Sequence, residues 1–319
     1  MKFRTEVDIK ESEKKIRLED KIFSIGSCFA SEMSDLFSQG QLQSLNNPFG
    51  TVFNPFSISN AVKRLHDAEF YHEDELITFN DEFISLDHHT SFDTRYIHQT
   101  LNKINAQIEE GNTFLQESDW VIITYGSSFI YEFLPKKKLV ANCHKIPQKF
   151  FEKRLLSHQE ITDSIYNTIL NLNDICKDDV QILFTVSPVR HTKDGMIENQ
   201  LSKSKLITAV HEAIQQFENC YYLPVYEMVM DDLRDYRFYK EDMIHPNNQA
   251  VNYIFEKFGN AYFGDETKGF IKENFKINKA LEHRTDDDKD PKYIEFKEKL
   301  NQKIEAQRQK VKHKIFPNA

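Results

Sequence analysis

Ser27 stands where acyl-transfer chemistry is easily placed. It follows the apolar run of Ile22, Phe23 and Ile25 and the break at Gly26. Phe29, Met33, Leu36 and Phe37 come next, at i, i+4, i+7 and i+8. That pattern reads as a buried strand, a tight turn and a helix. A hydroxyl in such a turn lies at the carboxyl end of a strand, beside the free N–H groups of a helix start. Those donors favour negative charge, including the oxyanion of an acyl transfer. An N-capping serine occupies the same position, and this stretch alone leaves both roles open. Far downstream, Asp242 precedes His245 by three residues. A carboxylate at that spacing can fold back onto one imidazole nitrogen, which fixes the tautomer and leaves the other nitrogen to act as a base. Pro246 suits the first position of a helix, and Val251, Ile254, Phe255 and Phe258 continue with helical spacing. The Asp-x-x-His pair is therefore expected on the loop entering the last core helix.

The elements between these stretches read as an α/β chain. Leu42 and Leu45 mark a second strand, and Asn46-Asn47-Pro48-Phe49-Gly50 is a loop signal. Gly50 can let backbone approach a ligand or can be an ordinary turn glycine. Ser57 is expected to cap a short helix through Leu65. Two short runs around Asn80-Asp81-Glu82 read as a β-hairpin, an insertion over residues 70–93. His88 and His89 invite a metal reading, but neighbours on a strand point to opposite faces and do not readily share an ion. No metal site is expected. A helix over about 94–115 leads to the buried strand Val121-Ile122-Ile123, whose carboxyl end carries Gly126, Ser127 and Ser128. A helix over 157–177 and a strand over 180–186 follow, the latter ending in Ser187-Pro188-Val189-Arg190-His191. Parallel strands bring their carboxyl-end loops together, so Arg190 and His191 belong on the edge that carries Ser27 and can contact substrate there. Tyr221–Tyr226 gives a fifth strand. The composition shifts after Gly264: an acidic cluster at 286–290 is followed by a narrow apolar stripe of Phe296, Leu300, Ile304, Val311 and Ile315 on a charged helix. That helix is expected to pack on the domain or on a second copy of the chain, as a homodimer.

A serine after the first strand and an Asp-x-x-His before the last helix resemble the SGNH (GDSL-like) hydrolase superfamily. Gly26-Ser27-Cys28-Phe29-Ala30 spells the motif that names the GSCFA family, which looks like a branch of that superfamily. The resemblance extends over roughly residues 20–262 in five blocks, including Asn47-Pro48-Phe49-Gly50-Thr51, Leu139–Pro147 and Asn199–Lys205. It implies a doubly wound, mostly parallel five-stranded sheet, with the hairpin insertion inside a domain of residues 1–265 and a helical extension over 266–319. It also implies a serine esterase with Ser27 as nucleophile, His245 as base and Asp242 as its orienting partner, needing no cofactor. The Ser27 and Gly50 N–H groups would hold the oxyanion. The superfamily's usual Gly-x-Asn-Asp block is absent after the third core strand, so Ser127, Ser128 or Asn142 would supply the remaining donor. Asn142 also reads as a turn residue. The substrate expected is a small-molecule or carbohydrate ester with a short acyl group such as acetyl, because no lipid-scale apolar loop stands out. The altered third block also fits a catalytically inactive binding protein that keeps the fold, and a thiol enzyme using Cys28 is a more distant reading.

Composition bounds the partners. The 319 residues are 39% hydrophobic and 29% charged, enough for a sizeable core. A net charge of −9 argues against a nucleic-acid partner. The charged N-terminus does not read as a signal peptide, and no uncharged run approaches the ~20 residues of a spanning helix. The four scattered cysteines suit neither a disulfide framework nor a zinc knuckle. A cytoplasmic protein without a membrane partner is expected.

Overall fold

A computed structural model describes residues 5–282 and 290–317. Ile22, Phe23 and Ile25 build β1 (Lys21–Gly26), and α1 (Cys28–Gln39) follows at once. The chain continues through β2 (Gln43–Asn46), α2 (Pro55–His66), the hairpin β3 (Ile77–Phe79) and β4 (Glu82–Ile84), and α3 (Ile97–Gln116). β5 (Trp120–Tyr125) is followed by β6 (Phe129–Phe133), β7 (Lys138–Val140) and β8 (Phe151–Leu155), then α4 (His158–Ile175) and β9 (Gln181–Val186). The last segments are α5 (Met196–Ile214), β10 (Cys220–Leu223), α6 (Val225–Met230), α7 (Asn248–Tyr262), α8 (Asp265–Leu281) and α9 (Pro291–Arg308).

The central sheet is parallel, in the order β10-β9-β5-β1-β2. Numbered along the chain, its strands run 2-1-3-4-5, the doubly wound order in which the winding reverses between β1 and the next core strand, here β5. Ligands of such sheets bind outside the carboxyl ends at that reversal, which is where Ser27 and Gly126 emerge. Alternation along the strands sends Ile22 to one face and Phe23 and Ile25 to the other. One face packs on α1, α6 and α7, the other on α2 to α5. Phe37 of α1 is wholly buried, with its ring centroid 5.7 Å from those of both Phe255 and Phe258 on α7. Truncation there would cost about 3–5 kcal/mol.

Several expectations are corrected. The cap of α2 is Asn54, which accepts from Ser57 N at 2.8 Å, and Pro55 takes the first position; Ser57 is the capped residue. α7 starts at Asn248 with Asn247 as its cap, so Pro246 lies before the helix. The fifth core strand ends at Leu223, because Pro224 breaks the ladder and Val225 and Tyr226 begin α6. The antiparallel sheet β7-β6-β8 was not foreseen. Its strands are short and partly buried, so they carry little period-2 signal.

The C-terminal stripe packs on this same chain, except that Phe296 is exposed and that α9 ends at Arg308, before Val311 and Ile315. Leu300, Ile304, Val311 and Ile315 are buried in the cluster that holds Phe37 and Phe270. Asn274 Nδ2 donates to Gly40 O at 2.9 Å and Gln307 Nε2 to Phe270 O at 3.3 Å. Asp290 caps α9 through Lys292 N; the remainder of the acidic cluster, 286–289, lies outside the described residues. Among the described residues no helix is long and apolar enough to cross a membrane.

Candidate active site

Gly26 ends β1 at φ +145°, and a Cβ there would lie 2.2 Å from Thr124 O on β5. Only glycine allows that approach. Asn47 fastens the same point, its Oδ1 accepting from Gly26 N at 2.7 Å while its own N–H donates to Ser24 O at 2.9 Å. The next residue, Ser27, occupies the N-cap position of α1 but makes no side-chain cap bond. Its Oγ is buried and has no hydrogen-bond partner among the described residues. Of the two roles left open by the sequence, capping is therefore not the one the hydroxyl performs.

Asp242 Oδ2 bonds His245 Nδ1 at 2.7 Å, and Asp242 Oδ1 accepts from the N–H groups of His245 at 3.0 Å and Ile244 at 2.8 Å. Hydrogen bonds from the His245 backbone and ring, then from the Ile244 N–H, hold the Asp242 carboxyl down at about 2. A carboxylate so held fixes Nδ1–H as the ring's donor and leaves Nε2 as the acceptor. Two ties carry this loop to the rest of the edge. Lys240 Nζ pairs with Glu32 of α1 at 2.7 Å, and Arg190 N donates to Ile244 O at 3.2 Å. No hydrogen bond joins Ser27 Oγ to His245 in this structure.

The β5 loop lies directly beside the serine. A Cβ on Gly126 would be 3.2 Å from Ser27 Cβ and 3.1 Å from Phe53 Cδ1. The N–H groups of Gly126 and Ser127 both donate to Phe53 O, at 2.7 and 3.0 Å. The Ser127 and Ser128 hydroxyls are tied to Ser202 of α5. His191 lies edge-on to Phe53, with centroids 6.0 Å apart, and burial pulls its pKa down to about 4, so its ring is neutral at neutral pH. The Arg190 guanidinium sits 4.1 Å from the Tyr239 ring and 5.3 Å from Tyr236. Burial raises the Cys28 thiol, which works against a thiolate nucleophile at this turn.

Two of the expected oxyanion donors are spent inside the fold. Ser27 N donates to Thr124 O at 3.0 Å and Gly50 N to Asn47 O at 2.7 Å, so both are engaged inside the fold. Gly50 is instead required by its φ of +71° and by His89, whose Cβ lies 2.3 Å from where a Gly50 Cβ would be. Asn142 Oδ1 accepts from His144 N at 2.9 Å, the turn role, and its own N–H donates to Leu86 O at 3.1 Å. Of the paired histidines, His88 is buried against Phe49 with Nδ1 on Ser85 Oγ at 2.8 Å, and His89 Nδ1 meets Ser91.

Sequence reasoning missed two features of this edge. Asn47 appeared as a loop signal and as part of a resemblance block, with no role of its own, and its clamp on Gly26 depends on a contact 21 residues away. Asn199, Ser202 and Lys203 entered only within a block of the family resemblance, yet all three are buried on one face of α5. Their i, i+3, i+4 spacing was a usable signal: a polar stripe where an amphipathic helix of this sheet should be apolar.

The fold and this edge define a doubly wound α/β protein with a buried, unpartnered serine at the reversal of its sheet. The GSCFA family model matches residues 21–258, and the chain belongs to the GSCFA family. No curated protein matches it. Among solved structures it is similar to a Clostridium thermocellum family 3 carbohydrate esterase (10% identity, 80% of this chain and 98% of that one, TM-score 0.35). It is also similar to a carbohydrate esterase family 3 protein from Talaromyces cellulolyticus (8% identity, 80% and 99%, TM-score 0.37). A third is a DUF4886 family protein from Bacteroides uniformis (10% identity, 84% and 97%, TM-score 0.39).

Proposed function

We propose that this protein is a serine esterase that removes a short acyl group, such as acetyl, from a carbohydrate or another small-molecule ester. The observation that carries the reading is the Ser27 hydroxyl, which stands at a helix start without serving as its cap. Ser27 Oγ attacks the ester carbonyl carbon, and His245 Nε2 takes its proton. The acyl–alcohol bond then breaks, and the imidazolium returns the proton to the leaving oxygen. Asp242, already hydrogen-bonded to Nδ1, holds the ring and balances its charge. Water repeats the sequence on the acyl-serine and releases the acid. Ala30 N is taken by Ser27 O at 2.8 Å, so the N–H groups of Cys28 and Phe29 at the start of α1 receive the oxyanion. Arg190 on its tyrosine platform lines the alcohol side. Closing the Ser27–His245 hydrogen bond on substrate binding is part of this mechanism.

Hydrolysis of p-nitrophenyl esters tests it. The expected result is turnover of the acetate, falling steadily through butyrate and octanoate, and abolished by Ser27→Ala. A rate that is flat or rises with chain length contradicts the short-acyl assignment. Absence of turnover together with ligand-induced stabilisation by a sugar favours the binding-protein alternative.

A further inference from the structure

Lys203 of α5 is fully buried, and lysine is almost never so unless it is paired with an acid. Here no carboxylate meets it among the described residues. Its Nζ donates instead to two backbone carbonyls, Gly126 O and Ser187 O, both at 2.6 Å. Those carbonyls mark the point where two central strands part. The β5–β9 ladder ends with Tyr125 opposite Val186 and the bond from Ser187 N to Tyr125 O at 2.8 Å. Beyond it the β5 loop turns toward Ser27 and the β9 loop toward Arg190. The ammonium fills the fork. Its neighbours on the same face of α5 grip the same two loops. Ser202 Oγ accepts from Ser128 N at 2.8 Å, and Asn199 Oδ1 accepts from His191 N at 2.9 Å.

We propose that Lys203 is a positioning residue of the esterase site, whose charged amine holds the Gly126 and Ser187 carbonyls so that the β5 and β9 loops face Ser27 in register. The inference rests on the reading of Ser27 as nucleophile. Gly126 transmits the constraint, since it passes so close to Ser27 that a Cβ built on it would lie 3.2 Å from Ser27 Cβ. A charged donor grips a carbonyl more strongly than a neutral one, which accounts for a lysine where a glutamine would be cheaper to bury. Burial lowers the amine to about 7, so its charged grip on the two carbonyls is held at and below neutral pH and weakens above it. The titratable group facing it is His191, across the same Gly126 carbonyl.

The test compares wild type, Lys203→Met and Lys203→Gln for p-nitrophenyl acetate turnover and for the rate at which a fluorophosphonate labels Ser27, each normalised to folded protein by near-UV circular dichroism. A misplaced loop beside a reacting centre costs about a hundredfold. The expected result is a fall of that order in kcat and in labelling rate for the methionine variant, KM little changed, and a smaller fall for glutamine, which keeps a donor. If the methionine variant does not fold, the glutamine variant is read in the same way. Wild-type kcat in folded Lys203→Met overturns the inference while leaving Ser27 as nucleophile. A wild type that neither turns over nor labels overturns the reading of Ser27, and this inference with it.

Discussion

Replacing Lys203 by methionine should change stability in a way that depends on pH. Burial moves the amine from 10.5 to about 7, and at ~1.4 kcal/mol for each pH unit that corresponds to roughly 5 kcal/mol between its two protonation states. Below pH 7 the lysine is charged in both folded and unfolded chains, so the native state bears the whole cost of burying the charge. Between about 7 and 10.5 the unfolded chain binds a proton that the folded chain does not, and wild-type stability rises with pH. Above that range both states are neutral and the cost is gone. Methionine has no such dependence, and His191, which Lys203 helps to lower, titrates near 4, below the range of the series. Urea unfolding of both proteins at pH 6.5, 8 and 10 should show the wild type gaining on the variant by several kcal/mol across the series, with about 5 as the ceiling. At pH 6.5 the variant should be close to wild type or above it, because the lost carbonyl bonds are offset by removal of the charge. A difference that does not move with pH would refute the assignment of an unpaired buried amine.

Further outcomes follow from the same edge. Gly126→Ala places a methyl 3.2 Å from Ser27 Cβ and 3.1 Å from Phe53; esterase turnover should be lost while far-UV circular dichroism stays normal. Gly26→Ala puts a Cβ 2.2 Å from Thr124 O at φ +145° and should cost at least about 3 kcal/mol, read as loss of soluble protein. Asn47→Ala strips the partner from the buried Gly26 N–H and should lower unfolding free energy by about 1–3 kcal/mol in urea. Asp242→Asn should lower kcat about ten-thousandfold with little change in thermal midpoint, because the carboxylate is exposed and the role proposed for it is to hold the His245 tautomer.

The sheet was legible because its strands are buried on both faces and read as apolar runs, from Ile22-Phe23 to Ile182-Leu183-Phe184. The turn at Gly26 and the Asp242–His245 pair were legible because each is local. What the sequence did not disclose depends on contacts between distant segments. Ser57 looked like a cap because capping residues cluster, and Asn54-Pro55 three residues earlier took the role. Gly50 looked like a ligand glycine, and the demand came from His89 instead. Lys203 carried no signal of its own within the Asn199–Lys205 block, and its difference lies in which way the helix faces. The β6–β8 sheet is built from short, half-exposed strands with no strong period of either kind.

The central claim is that Ser27 is a nucleophile activated through His245. Mass-spectrometric peptide mapping after reaction with a fluorophosphonate addresses it without any assumption about the natural substrate. A single adduct on Ser27 is expected, formed far more slowly in His245→Gln and absent from Ser27→Ala. Labelling that is absent from the folded wild type, that falls on another residue, or that proceeds unchanged in His245→Gln would contradict it.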